Sequence, residues 1–175
     1  DRAITAFTEA ALLRANSGNE SDGFNQAWLE LGRIRQRLGK APADTKGGIK
    51  LARAMFKVLY LESQSLENIS VSKSSEGVNI VQRKIAKVND LVGKLNQLAE
   101  GSKNEYAVAA RVLAAQLLES LAGTLLMPSE ALLPANSEGD SLKGRWERQG
   151  FDAQEKAIQY YNAAASLADK IGDLT

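Results

Sequence analysis

The last stretch of this chain repeats apolar and small residues with the period of a packed helix. The repeat alternates steps of three and four residues, which places its members on one side of an α-helix. A seam of this kind must pack against a neighbouring helix along its whole length. The pattern predicts a final helix from about Asp140 to the end of the chain. Its members are Leu142, Trp146, Gly150, Ala153, Ala157, Tyr160, Ala164, Leu167, Ile171 and Leu174.

The same period recurs in five earlier segments, separated by glycine, proline and capping residues. The cleanest seam lies in the fourth segment, where Val78, Val81, Ile85, Val88, Val92, Leu95 and Ala99 step by three and four. Gly101 ends this fourth helix. The fifth segment is opened by a capping box, Ser102–Glu105, and is stopped by Met127-Pro128. Its predicted inward residues are Tyr106, Ala110, Leu113, Leu117 and Leu121. The other predicted helices run about Asp1–Asn16, from a cap at Ser21 or Asp22 to Leu38, from a cap at Asp44 or Thr45 to Ile69, Val78–Ala99 and Asp140–Thr175.

Two stretches between these helices lack helical spacing. Ser70–Gly77 is poor in helix-forming residues and predicts a turn, with a continuous kinked helix as the alternative. Ser129–Gly139 predicts an irregular connection that holds at most one short helical turn. No segment alternates with period two, so no sheet is expected.

The composition agrees with helices packed on helices. The 175 residues are 44% hydrophobic but only 6% aromatic, and proline occurs three times. We therefore predict an all-α fold, an elongated antiparallel bundle of the four-helix-bundle kind with five to six helical segments. Residues 1–175 are predicted to form one domain.

Two residue types are missing, and their absence excludes most catalytic chemistry. The chain has no cysteine, so it has neither a thiolate nucleophile nor cysteine ligands for zinc or iron–sulfur clusters. It has no histidine, which excludes histidine-ligated haem, the Glu-x-x-His ligands of di-iron bundles and a Ser-His-Asp triad. Carboxylates such as Glu30, Glu62 and Glu119 are scattered singly. We expect a protein that is not an enzyme and that binds neither cofactor nor metal.

Charge and hydropathy limit the partners. The formal net charge is +1, without a block of like charges, so nucleic acid is not an expected partner. No apolar run was expected to reach the roughly 18 residues needed to cross a bilayer. A small anion or a protein remains the expected partner.

Two arginines and a tryptophan are the candidate ligand-binding residues. Arg14 continues the apolar spacing of the first helix, and Arg35 lies at the edge of the apolar face of the second. A guanidinium at a helix interface can bind a carboxylate, nitrate or phosphate with paired hydrogen bonds. Trp28 would line a ligand pocket, as would Trp146, Tyr60 and the pair Tyr160-Tyr161. The competing interpretation is that the arginine stems cover the core edge and the aromatic rings are ordinary packing.

One segment resembles a known family. Ala10–Arg33, in which a helix ends in a Gly-containing turn and Phe24 opens the next helix, is similar to the periplasmic domains of type IV pili methyl-accepting chemotaxis proteins of the PilJ type. A looser similarity joins Ala114–Leu118 to Gly150-Phe151. The resemblance implies an extracytoplasmic sensor module between two membrane helices, on the periplasmic or extracellular side of a bacterial inner membrane. There a ligand would shift the helices relative to one another.

The ends of the chain agree with that expectation. Asp1 leads directly into helical spacing, and Leu174 continues the final seam after Gly172, so the two terminal helices are expected to continue into a longer receptor. A parallel homodimer along the terminal helix is compatible with this. The alternatives are a secreted or lumenal helical subunit that docks on a larger assembly, which would expose a large apolar or charged patch, and a protein whose amphipathic helices open on a lipid surface.

Overall fold

The computed structural model describes residues 46–67, 77–101, 103–128, 133 and 137–172. Within these ranges the chain forms four α-helices and no β-strand. They are α1 (Lys46–Glu67), α2 (Gly77–Glu100), α3 (Glu105–Leu126) and α4 (Ser137–Gly172). The all-helical, bundle-like fold is confirmed.

The described residues form four helical segments, against the five to six predicted for the chain. The two earliest predicted helices lie outside the described residues, as do Arg14, Trp28, Arg35 and the core of the predicted turn, residues 70–76. The last helix begins at Ser137, three residues before the predicted start at Asp140. Glu138 and Asp140 lie in its first turn, where negative charge suits the helix dipole.

The helix α3 is central, because each of the other three helices packs against it. The contact between α3 and α4 is the most extensive; α3 also packs against α2, and α1 packs against both α2 and α3. The helices α3 and α4 are antiparallel, because Gly150, early in α4, meets the end of α3 at Leu126, whereas Ala163, late in α4, meets Arg111. The central helix α3 is therefore covered on several sides.

The burial of α3 follows from this position. Four of its predicted inward residues, Ala110, Leu113, Leu117 and Leu121, are buried, and the fifth, Tyr106, is partly buried. Further buried positions widen the apolar surface beyond one seam. They are Ala107, Ala114, Ala115, Leu118, Ala122 and Leu125.

The apolar character of α3 contradicts the expectation that no apolar run is long enough to cross a bilayer. Among the described residues, α3 is the one helix long and apolar enough to cross a membrane by length and composition. The run contains two charges, Arg111 and Glu119, which a span of this length tolerates. Half of the apolar stretch is buried inside the bundle, which is also what the core helix of a packed bundle requires.

The predicted seams of α2 and α4 are confirmed where the structure describes them. In α2, Val81, Val88, Leu95 and Ala99 are buried, and Val78, Ile85 and Val92 are partly buried. In α4 the buried seam residues are Leu142, Trp146, Gly150, Ala153, Ala157 and Ala164. Tyr160, Leu167 and Ile171 are partly buried, and Leu174 lies outside the described residues.

The connection between α2 and α3 closes with two local hydrogen bonds. Gly101 N–H donates to the Gln97 carbonyl at 3.1 Å, so α2 ends at Gly101 as predicted. The start of α3 differs from the predicted capping box at Ser102, because the N-cap is Asn104. Its Oδ1 accepts a hydrogen bond from Tyr106 N–H at 3.0 Å, and its backbone is extended. Asn is among the best N-cap residues, so it satisfies one of the free N–H groups of the first turn.

Candidate interaction surface

The structure places the remaining aromatic candidates in different surroundings. Trp146 is 2% exposed and belongs to the core, so for this residue the packing interpretation is confirmed. Tyr60 is on the surface of α1, with its ring centroid 6.3 Å from that of Phe56. The candidate ligand-binding residues Arg14, Arg35 and Trp28 lie outside the described residues, and their predicted role stays a prediction.

A second apolar face on α4 is the most unusual surface of the described chain. Phe151 is 62% exposed, Ile158 55% and Tyr161 37%. Ala165 and Ala168 are also exposed. At 100° per residue, these five side chains share one face of α4, about a third of a turn from the seam that packs on α3. We call Phe151, Ile158, Tyr161, Ala165 and Ala168 the outer stripe.

One edge of the outer stripe is tied to α3. The Tyr161 hydroxyl donates a hydrogen bond to Glu119 Oε2 at 3.0 Å. Burial raises the pKa of Tyr161, and the hydrogen bond to the Glu119 carboxylate and its charge raise it further. The phenol therefore stays protonated at neutral pH and remains a donor. The contact holds the Tyr161 ring beside the stripe.

The other edge of the stripe carries charges of both signs. Arg148, Glu155 and Asp169 are exposed and repeat at multiples of seven residues, so they follow the stripe along one side. Asn162 continues this row. We call Arg148, Glu155 and Asp169 the charged flank. It is basic towards the start of α4 and acidic towards its end.

Other polar groups tie adjacent helices together. Lys94 Nζ of α2 lies 3.0 Å from Glu62 Oε1 of α1 and 2.8 Å from Asp90 Oδ2 of its own helix. Burial by itself would lower the pKa of Lys94, but the hydrogen bonds and charges of Asp90 and Glu62 together outweigh it and raise the pKa. Glu62, which the sequence analysis left as a single carboxylate, is thus half of an ion pair between α1 and α2.

Two further contacts join α3 to its neighbours. Lys84 Nζ of α2 donates to Thr124 Oγ1 at 2.8 Å, and burial lowers the pKa of Lys84. Arg111 donates from a terminal guanidinium nitrogen to the Ala163 carbonyl of α4 at 2.9 Å. Each pair of helices consecutive in the chain therefore has a polar contact in addition to its apolar packing.

The acidic side chains of the described residues do not form a metal site. The described residues contain no group of three or more Asp or Glu side chains placed to hold a metal ion. The surface of α4 is the strongest candidate because of its exposed apolar residues.

Comparisons with known proteins supply no further assignment. No protein-family model, curated protein or solved structure matches the chain.

The sequence contained a signal for the outer stripe that the sequence analysis missed. Phe151, Ile158 and Ala165 are seven residues apart, as are Tyr161 and Ala168. That is a second heptad series within the same helix. A helix with two apolar series can bury either one, and only the packing of α3 against the first series identifies the second as the exposed one.

Proposed function

We propose that this chain is a non-enzymatic helical interaction module that binds a protein partner through the outer stripe of α4. One observation carries the proposal: two large apolar side chains and a tyrosine lie exposed along one face of a helix whose other face is already packed. Exposed apolar residues are common singly, but a row of them marks an interaction surface.

The energetics favour a helical partner. Full burial of a side chain such as Phe or Ile contributes about 1.5–3 kcal/mol, so Phe151 and Ile158 together supply a substantial part of a specific contact. Aromatic residues are enriched among the residues that dominate binding energy. A straight apolar row bordered by charges suits a partner helix that lies along α4.

This proposal corresponds to the docking alternative of the sequence analysis. The outer stripe is apolar and its flank carries charges of both signs, so the surface suits a protein partner better than a polyanion. Nucleic acid would need a basic face, and the charged flank has one arginine against two carboxylates.

A photo-crosslinking experiment tests the proposal in cells that produce the protein. A benzophenone amino acid is introduced at Phe151 and, as the matched control, at Lys156, which is exposed near the middle of α4 but on the face opposite the outer stripe. We expect a covalent protein adduct from position 151 and none from position 156. Equal adducts from both positions, or none from position 151, would overturn the proposal.

A second candidate function is the sensor input domain of a bacterial transmembrane receptor. The observation that favours it is the continuity of α4: 36 residues without a break, with seam residues from Leu142 to Ile171. Such a helix is about 54 Å long. A ligand that moved α4 along α3 would carry the shift to the far end of this rod, as the resemblance to PilJ-type domains implies.

In this second function the ligand would be a small anion held by Arg14 and Arg35, with Trp28 at the pocket wall. A thermal-shift screen of the purified protein against amino acids, organic acids, nitrate and phosphate tests it, because a bound ligand raises the melting temperature by mass action. We expect the shift to disappear in Arg14→Ala and Arg35→Ala. A screen without a shift would count against the sensor function and leave the interaction module unaffected.

A further inference from the structure

From the pattern of the outer stripe and its charged flank, we infer that the partner is a second copy of this chain, bound antiparallel, with the twofold axis beside Ile158. The inference rests on the proposed function, because it names the occupant of the same surface. It has two independent supports, one from charge and one from side-chain size.

The charge support comes from the order of residues along the flank. When two copies of a helix pack antiparallel, each flank faces the same flank of the other copy, in reverse order. The midpoint of Arg148 and Asp169 falls between Ile158 and Gln159. A twofold axis at that height places the Arg148 guanidinium of each copy opposite the Asp169 carboxylate of the other, which gives two ion pairs related by symmetry.

The remaining flank residues agree with the same axis. Glu155 and Asn162 have the same midpoint, so each Glu155 carboxylate would face an Asn162 amide, which can donate a hydrogen bond to it. No like charges of the flank are brought together at this height. A single twofold axis at this height therefore gives every residue of the flank row a polar partner in the other copy.

The size support comes from the stripe itself. The same axis places Phe151, the largest exposed side chain of the stripe, over Ala165 and Ala168 of the other copy, where small side chains leave room for a ring. Ile158 meets Ile158 at the centre. The outer stripe is therefore complementary in shape to the outer stripe of a second copy that runs in the opposite direction, as a twofold interface requires.

A parallel pair does not have this complementarity. The charged flank of one copy would then face the opposite edge of the other copy's stripe, the side of Tyr161 and Ala168. At the height of Asp169 that edge offers Ala168, which carries no charge.

The antiparallel pair also places the ends of the two α4 helices at opposite ends of the dimer, so the two copies could not both direct α4 towards one membrane.

The absence of cysteine from the sequence makes a disulfide-mapping experiment clean. Single-cysteine variants Phe151→Cys, Ile158→Cys and Ala165→Cys are purified, mixed as stated and oxidised, with Lys156→Cys, on the opposite face of α4, as the control. For the antiparallel pair, I158C links to itself. F151C and A165C link in an equimolar mixture with each other and far less alone, and K156C does not link. Self-linking of all three stripe variants would indicate a parallel pair and overturn the inference.

Sedimentation equilibrium of the purified chain supplies the second readout. We expect a dimer that dissociates in the micromolar range, since the contact is one helix wide. The double variant F151D/I158D is expected to weaken association at least about hundredfold, because it places four carboxylates in the contact. At a protein concentration at which the unsubstituted chain is monomeric, its melting temperature should stay close to that of the unsubstituted chain, since both side chains are exposed and association then adds no stability by mass action.

Charge reversal distinguishes the assigned ion pair from general apolar association. Arg148→Glu and Asp169→Arg are each expected to weaken the dimer about threefold to tenfold, as exposed pairs do. The double variant R148E/D169R should restore it, and high salt should reduce all three differences. Failure of the rescue would overturn the assigned pairing.

The two proposals fail in different ways. A purified chain that stays monomeric up to about 0.5 mM, far above the micromolar range expected, would overturn the second-copy inference. If the benzophenone at position 151 still captured another protein in cells, the interaction function would stand. If position 151 captured nothing in cells and the purified chain did not associate, both proposals would be refuted.

Discussion

Replacing Gly150 with alanine tests the closest approach between α3 and α4. A Cβ atom built at Gly150 would lie 2.8 Å from Leu126 Cγ, 2.9 Å from Leu126 Cδ2 and 3.3 Å from Leu125 Cβ. Optimal carbon–carbon separations are about 3.5–4.0 Å, so the new methyl group overlaps two leucines. The Leu126 side chain can rotate, but Leu125 Cβ moves only with the backbone of α3.

The magnitude follows from two opposing terms. Alanine in a helix interior is favoured over glycine by about 0.5–1 kcal/mol. Forcing an extra methyl group into a packed seam costs about 1–3 kcal/mol. The free energy of unfolding of Gly150→Ala should therefore fall by about 1–2 kcal/mol, which lowers the melting temperature by about 2–8 °C for a chain of this size.

The matched control is Gly144→Ala in the same helix. A Cβ atom at Gly144 meets nothing within 4 Å, so only the helix-propensity term applies. We expect this variant to gain about 0.5–1 kcal/mol. Urea denaturation followed by circular dichroism at 222 nm measures both variants, provided that the slope with denaturant is unchanged.

A third variant tests the cause of the destabilisation. In Gly150→Ala combined with Leu126→Ala, the shortened side chain removes both contacts under 3 Å. The loss caused by G150A should be smaller in the L126A background than in the parent chain, a coupling that a double-mutant cycle isolates. If G150A stabilised the protein as much as G144A, the tight α3–α4 contact described above would be wrong.

Three further predictions concern the cap of α3, its core and alkaline stability. Asn104→Ala should lose about 1 kcal/mol of stability while Asn104→Ser stays close to the parent, because a hydroxyl can also cap the helix and would remove the buried Nδ2 that has no hydrogen-bond partner among the described residues; urea denaturation of both variants checks this. Leu125→Ala, at a fully buried side chain, should lose about 2–5 kcal/mol, whereas Met127→Ala, at an 84% exposed one, should change stability by less than about 0.5 kcal/mol in the same assay. The pKa of Tyr161 is raised in the folded chain by burial and by Glu119, so its contribution is complete below the unfolded pKa and is lost as the pH rises through the folded one. The melting temperature should therefore fall above about pH 10, and the fall should be shallower in Tyr161→Phe; an identical pH profile for both chains would contradict the Tyr161–Glu119 contact.

The buried seams could be predicted from the sequence because they depend on periodicity alone. Val81, Val88 and Leu95 in α2, and Trp146 and Ala153 in α4, are buried as their spacing indicated. Periodicity identifies which residues of a helix share a face, since the backbone fixes 100° per residue. It identifies the face without identifying the helix that covers it.

The cap of α3 shows a smaller limit of sequence reasoning. The Ser102–Glu105 pattern indicated a capping box, but Asn104 is the residue whose side chain accepts from the helix backbone. Both Ser and Asn are favourable caps, and they lie two residues apart in the same segment. The choice between them depends on where the chain leaves α2, which local propensity does not determine.

The candidate surface depended on tertiary structure for its identification. Phe151, Ile158 and Ala165 form a heptad series in the sequence, beside the series that includes Ala153 and Ala157. Spacing gives no reason to choose between the two. The small residues of the buried series, such as Ala153 and Ala157, allow α3 to approach closely, as at Gly150, and that packing leaves the series of Phe151 and Ile158 on the surface.

The amino-acid sequence by itself determined that this protein is helical, where most of its described helices begin and end, and which residues face inward. Those properties follow from hydrogen bonding and side-chain spacing within single segments, which act over a few residues. Which helix covers which seam, where the charges of Glu62 and Lys94 meet, and which apolar face stays in solvent were decided by the tertiary structure. Each of these depends on contacts between residues that are distant in the chain. The spacing of residues within one segment does not show which distant segment packs against it.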